Sequence, residues 1–188
     1  MNNYQEMAAA AAETVRVVRG VRDDQLKDPS PCHDWDVRTL LNHIILWTAY
    51  SAEQRAYGKS VAEELMNKDF AAEPGFADDY AAQVDKALTA WSDPKAWERE
   101  LGVMGNAMPA ADVAAMLIME IVLHGWDLAQ ATGQEYHCPG NVAAVLLTTV
   151  QQQAGMFRQY QGFADEVKIS ADAPAFDRAL ALSGRDPR

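Results

Sequence analysis

The stretch between Pro109 and Gly133 constrains the fold more than any other part of the sequence. It is an apolar run with proline at its start, where a helix tolerates a missing N–H, and glycine at its end, where a left-handed residue often closes a helix. The run therefore predicts one long helix with both ends marked. Among its polar residues are Glu120, His124 and Asp127.

These polar residues share one face of the predicted helix. At about 100° per residue, steps of four and seven positions place Glu120, His124 and Asp127 within roughly 60° of one another. The same face is apolar and therefore directed at the core, since it carries Val113, Met116, Leu117 and Leu128. An ionised carboxylate buried there needs a proton, a hydrogen bond, an ion pair or a metal. A divalent metal would satisfy Glu120 and His124 together; the alternative is a core histidine beside a glutamate that reaches the surface or an arginine.

The composition limits the class of protein. The 188 residues, 49% hydrophobic and 23% charged, favour a single folded domain over residues 1–188 rather than a disordered chain. A net charge of -11 argues against a nucleic-acid or anionic-membrane partner, which would need clustered lysine and arginine. Because the N-terminus has no signal-like segment and no apolar run could span a bilayer, we expect a cytoplasmic protein. The sequence leaves the oligomeric state open, a homodimer included.

Helical periodicity recurs along the rest of the chain. It predicts helices over Tyr4–Arg19, Val37–Tyr57 and Phe76–Trp91, a restart from Pro94 to Trp97, and a further helix opened by Pro139. The weaker expectations are a short helix over Val61–Asn67, a connector over residues 98–108 that pairs briefly as strand, a short strand over Val167–Ile169 and a last amphipathic turn around Phe176.

The second of these helices directs a histidine at the core. Asp36 is a typical N-cap residue, and Trp35 before it can pack on Leu40 as a hydrophobic staple. His43 lies on the core side of the inward stripe, which consists of Leu40, Ile44, Trp47 and Ser51 or Gln54. Taken alone, such a histidine is either a hydrogen-bonded core residue or a metal ligand.

Three segments taken together resemble a known family. They are Pro29–Val37 (PSPCHDWDV), Leu40–His43 (LLNH) and Glu120–Gly133 (EIVLHGWDLAQATG), in this order. The joint pattern is similar to the DinB-like superfamily, in particular the branch named after mycothiol-dependent maleylpyruvate isomerase. The resemblance implies an all-α fold, a four-helix bundle core with a crossover connection, with a short C-terminal extension in place of the additional C-terminal domain of the named enzyme.

The resemblance also implies a metal site. Carried over residue by residue, the ligands of a divalent metal are His43, Glu120 and His124, where many superfamily members have histidine at the position of Glu120. Two histidines and one glutamate leave an open coordination position, and Zn²⁺ or Ni²⁺ suits this mixed ligand set. Asp127, one turn beyond His124, is the candidate to accept a hydrogen bond from a ligand histidine without touching the metal.

Two functions are compatible with such a site. One is a metal-dependent thiol S-transferase or isomerase, which acts on a small electrophile with a low-molecular-weight thiol such as mycothiol. The other is a non-catalytic divalent-metal or small-molecule binding module, in which a side chain such as Asp127 fills the fourth metal position. A thiolate would also need local positive charge from the metal and from a residue such as Arg38.

Cys32 is either a reactive thiol near the start of the second helix or a buried small residue.

Overall fold

The computed structural model describes residues 2–103 and 105–188, most of which are helical. The α-helices are α1 (Tyr4–Arg19), α2 (Val37–Ile45), α3 (Ser51–Ala56), α4 (Phe76–Ser92), α5 (Pro94–Trp97), α6 (Ala110–Thr132), α7 (Gly140–Gln159) and α8 (Ala175–Leu182). The short strands β1 (Glu100–Val103) and β2 (Asn106–Pro109) form an antiparallel hairpin in which Leu101 pairs with Met108. The hairpin confirms the expected pairing just before the long helix.

The chain divides into two compact units. The first ends at His137, and the second is Cys138–Arg188, in which α7 packs against α8. The single domain over residues 1–188 stays a prediction. Among the described residues, no helix combines the length and the apolar character that crossing a bilayer requires.

The first unit contains a ring of four helical segments. Helix α1 packs against α4 and α6, while α2 packs against α6 and α3 against α4. This order around the ring differs from the order in the chain, so the bundle requires a crossover connection, as the resemblance implied. The centre is fully buried, with Leu40, Leu41 and Ile44 of α2 at 0% exposure. Burial of these apolar side chains is the main stabilising contribution to the bundle.

The helix predicted over Val37–Tyr57 is interrupted by one π-helical turn. Helices α2 and α3 are joined by the π-helix Leu46–Tyr50, so the backbone stays helical from Val37 to Ala56. Thr48 lies in this turn, where its hydroxyl donates to the carbonyl of Ile44 at 2.7 Å and contacts the hydroxyl of Tyr80 at 2.8 Å. A π-turn contains one extra residue, which rotates everything after it back by about 100° relative to a continuous α-helix.

Helix α6 is continuous over its whole length. It begins directly after Pro109 and ends at Gly133, whose φ of 68° is the left-handed conformation that the glycine permits. At Gly125, next to His124, helix α1 comes so close that an added Cβ would lie 2.4 Å from Thr14 Oγ1. The Thr14 hydroxyl donates to the Ile121 carbonyl at 3.1 Å. The close approach of α1 therefore depends on glycine at position 125. The contact with α1 holds α6 in place next to His124.

Two of the weaker expectations are wrong. Within Val61–Asn67 only a 3₁₀ turn, Glu63–Leu65, is present, because only Val61 and Leu65 pack against the core and the other residues are exposed. Residues Val167–Ile169 are not a strand; instead the Val167 N–H donates to the carbonyl of Ala181 at the end of α8. The last amphipathic turn is confirmed and extends into helix α8.

Candidate metal centre

The structure brings the three predicted ligands together. His43 extends from α2, and Glu120 and His124 extend from α6, so that one ligand atom of each lies within 4.8 Å of the others. The His43 Nε2 is 2.5 Å from Glu120 Oε1, and the His124 Nε2 is 3.5 Å from the same oxygen. Two imidazole nitrogens, one from α2 and one from α6, therefore face one carboxylate oxygen of α6.

The cluster is close to the surface rather than deep in the bundle. The side chains of His43, Glu120 and His124 are 23%, 25% and 17% exposed. This partial exposure leaves a path from solvent, which a catalytic metal site needs and a closed structural site does not. The donor set of two nitrogens and one oxygen, converging on one point, fits a divalent cation such as Zn²⁺.

Asp127 lies on the opposite side of the His124 ring from Glu120. Its Oδ2 is 3.1 Å from His124 Nδ1, and the side chain is 1% exposed. A buried carboxylate in this position selects the tautomer of His124 that carries its proton on Nδ1, which leaves Nε2 with a lone pair facing Glu120. Asp127 therefore occupies the place expected for a residue that orients a ligand histidine.

Cys32 shares this buried carboxylate. Its thiol donates to Asp127 Oδ2 at 3.2 Å, and its Sγ is 3.7 Å from His124 Nδ1. The half-buried thiol is therefore neither isolated in an apolar environment nor remote from the site. Cys32, His124 and Asp127 form a second group whose ligand atoms lie within 4.8 Å of one another.

Trp35 covers the two histidines, a role that the sequence analysis missed. The Trp35 ring centroid is 4.8 Å from that of His43 and 6.2 Å from that of His124. The loop holds this position because the Ser30 N–H and hydroxyl both donate to the Trp35 carbonyl. Trp35 also packs against the core cluster that contains Leu40, as the predicted staple requires. The indole thus forms an apolar wall of the site.

The prediction that Arg38 supplies positive charge to the site is wrong. Arg38 donates from its Nε to both carboxylate oxygens of Asp69, at 3.1 and 3.0 Å, and this pairing lowers the pKa of Asp69 and raises that of Arg38. Its charge is therefore matched within that ion pair. Arg55 of α3 is a cation that interacts with the site: burial lowers the pKa of Arg55, and the negative charge of Glu120 opposes this shift.

Known proteins resemble this chain in sequence. A model of the mycothiol maleylpyruvate isomerase N-terminal domain matches residues 7–129, a span that contains all three candidate ligands. An uncharacterized protein of Mycobacterium tuberculosis strain H37Rv is 24% identical over 176 residues, which cover 92% of this chain and 91% of that protein. A second uncharacterized protein of the same strain is 27% identical over 143 residues, 68% of this chain and 55% of that protein.

Two solved structures share the fold. The crystal structure of the mycothiol-dependent maleylpyruvate isomerase aligns over 82% of this chain and 70% of its own, with a TM-score of 0.59 and 14% identity. A mutant of the same enzyme aligns over the same shares with a TM-score of 0.62 and 16% identity. At this identity the likeness concerns the fold, which is the all-α DinB-like fold. By the family match over residues 7–129, the chain belongs to the mycothiol maleylpyruvate isomerase N-terminal domain family, within the DinB-like superfamily.

Proposed function

We propose that the protein is a metal-dependent thiol S-transferase or isomerase that acts on a small electrophile with a low-molecular-weight thiol such as mycothiol. The observation that carries the proposal is the convergence of His43, Glu120 and His124, with ligand atoms within 4.8 Å, at a partly exposed place on the bundle. The family and the fold support a thiol as co-substrate, since both matched structures are of a mycothiol-dependent isomerase.

His43 Nε2, His124 Nε2 and the Glu120 carboxylate would hold a Zn²⁺ or Ni²⁺ ion. When bound, a divalent ion supplies Lewis acidity and keeps a thiol, whose free pKa is about 8.5, in its reactive thiolate form at neutral pH. Asp127 accepts the Nδ1–H of His124 and so keeps that ring oriented. Trp35 excludes water from the side of the histidines that it covers.

The placement of Asp127 also supports catalysis over a purely structural site. A closed site would need a fourth side chain on the side that faces Glu120, and Asp127 was the nearest candidate. In the structure Asp127 Oδ2 contacts the other nitrogen of His124, at 3.1 Å. Asp127 is therefore not placed to fill the fourth metal position. A non-catalytic binding module is the second hypothesis, and the two hypotheses differ in whether a thiol can occupy that position.

Cobalt substitution tests the proposal. The full chain is loaded with Co²⁺ and titrated with mycothiol and with simpler thiols, while a sulfur-to-cobalt charge-transfer band is followed by absorbance. We expect the band to appear at millimolar thiol or below and to be lost in the His43→Ala variant. His137→Ala, which changes a histidine that is 68% exposed, is the matched control and should behave as the unmodified protein. A cobalt-loaded protein that gives no band with any thiol would overturn the transferase and favour the binding module.

A further inference from the structure

The π-helical turn changes which residues of the later part of the segment share a face with His43. Arg55 follows His43 by 12 positions, which in a continuous α-helix would rotate it about 120° away. The extra residue in the turn Leu46–Tyr50 brings it back to within about 20° of His43. Ser51 moves in the same way and is 3% exposed. One turn of irregular helix thus places a serine and an arginine on the face of a candidate ligand, about two and three turns further along the segment.

Arg55 is held on this face by its neighbours. Its Nε donates to the Ser51 hydroxyl at 3.3 Å, and the side chain is half-buried. A guanidinium withdrawn from water needs hydrogen bonds or negative charge nearby. Burial lowers the pKa of Arg55, and the negative charge of Glu120 acts in the opposite direction. Arg38 on the same helical segment differs, because it is paired with Asp69 and its side chain is 41% exposed.

We infer that Arg55 is a positioning residue of the candidate metal centre, whose fixed positive charge holds an anion at the open coordination position. The inference rests on the proposed function, in which that anion is the thiolate. Two neutral histidines and one glutamate leave a net charge of about +1 with a divalent cation, one unit less than three histidines would leave. Arg55 restores this unit, which matters in a chain whose net charge of -11 repels anions.

Anion and neutral-ligand titrations of the Co²⁺-loaded full chain test the inference. Azide serves as the anionic probe and imidazole as the neutral one, and binding of each is followed through the cobalt absorbance bands. The variants are Arg55→Met, which removes the charge, and Arg55→Lys, which keeps it. Arg38→Met is the matched control on the same helical segment. Arg55→Gln replaces the methionine variant if the latter fails to fold.

We expect Arg55→Met to weaken azide binding roughly tenfold, because one unit of charge that acts across an intermediate dielectric contributes about that factor. Imidazole binding should stay within about threefold, and Arg55→Lys should restore most of the azide affinity. A merely structural role would weaken both ligands equally. Unchanged azide affinity in Arg55→Met, or equal losses for azide and imidazole, would overturn the inference.

The outcome for Arg55 is separable from that for the proposed function. If azide binds and depends on Arg55 while no thiol produces a charge-transfer band, the inference stands and the thiol chemistry is wrong. If thiols bind equally well with and without the Arg55 charge, the thiol chemistry stands and the inference is wrong. A chain that retains no cobalt would overturn both.

Discussion

The two helical segments that form the candidate centre differ in one respect. Helix α6 is α-helical from Ala110 to Thr132, whereas the segment from Val37 to Ala56 contains a π-turn. On α6 one period of about 100° per residue accounts for the positions of Glu120, His124 and Asp127. On the segment from Val37 to Ala56 the same period accounts for the position of His43. It does not account for the positions of residues after the π-turn, which begins at Leu46. A periodicity argument is therefore valid only as far as the first irregular turn.

The largest effect is expected on the regular segment. Asp127→Asn keeps the shape of the side chain but removes the charge that orients His124, so metal affinity should fall by roughly ten- to a hundredfold. Competition with a chelator measures the metal affinity of the variant and of the unmodified protein. Asp112→Asn, at an exposed site in the first turn of the same helix, should leave the affinity unchanged. Equal affinities for the two variants would show that Asp127 supports only the fold.

The contact of α6 with α1 should also be sensitive. Gly125→Ala places a methyl group 2.4 Å from Thr14 Oγ1, so we expect the free energy of unfolding to fall by about 1–3 kcal/mol. The control is Gly155→Ala in α7, where an added Cβ meets nothing within 4 Å and the gain should be about 0.5–1 kcal/mol. Urea unfolding measures the free energy of unfolding of both variants. A stabilised Gly125→Ala variant would contradict the close packing beside His124.

The sequence predicted the regular parts of the site and missed the irregular ones. Periodicity on α6 and the joint family pattern were sufficient to choose His43, Glu120 and His124, and the structure brings these three together. Trp35 was assigned only to the staple with Leu40, because no local rule says that a loop residue will turn its ring towards two histidines. The available signals were its place directly before the N-cap Asp36 and its membership of the Pro29–Val37 segment.

Arg55 was missed for a different reason. The sequence analysis extended the inward stripe from Trp47 to Ser51 or Gln54 with a regular helical period, and this period does not place Arg55 on the face of His43. In the structure the later inward positions are Ala52 and Ala56, at 2% and 1% exposure, whereas Trp47 and Gln54 are partly exposed, which is the shift that one extra residue produces. What stabilises this turn is a contact between residues far apart in sequence, the hydroxyls of Thr48 and Tyr80, and no pattern within one helix could reveal it.

The π-turn itself can be tested through that contact. Thr48→Val removes the hydroxyl that bridges the Ile44 carbonyl and Tyr80, so we expect a loss of about 1–2 kcal/mol in the free energy of unfolding. Thr149→Val, a buried threonine of α7 whose hydroxyl donates to the Val145 carbonyl, is the control and should cost less. If the two variants cost the same, the Tyr80 contact does not stabilise the turn.

The smallest effect concerns the start of the irregular segment. Asp36 accepts from the hydroxyl and the N–H of Thr39, which lowers the pKa of Asp36 below its ordinary 3.8. Asp36→Ala should cost about 1 kcal/mol near neutral pH. Because the folded pKa is depressed, this contribution is complete above 3.8 and is lost as the pH falls through the lower folded value. Urea unfolding at a series of acidic pH values should show the difference shrinking; a difference that grows on acidification would contradict the cap.

The central claim is that the regular and the irregular segment together hold one divalent metal. Elemental analysis of the dialysed full chain tests it most directly, with His43→Ala from one segment compared with the exposed control His137→Ala. We predict about one equivalent of Zn²⁺ or Ni²⁺ per chain in the unmodified protein and in the control, and almost none in His43→Ala. A metal content that is the same with and without the His43 imidazole would contradict the account.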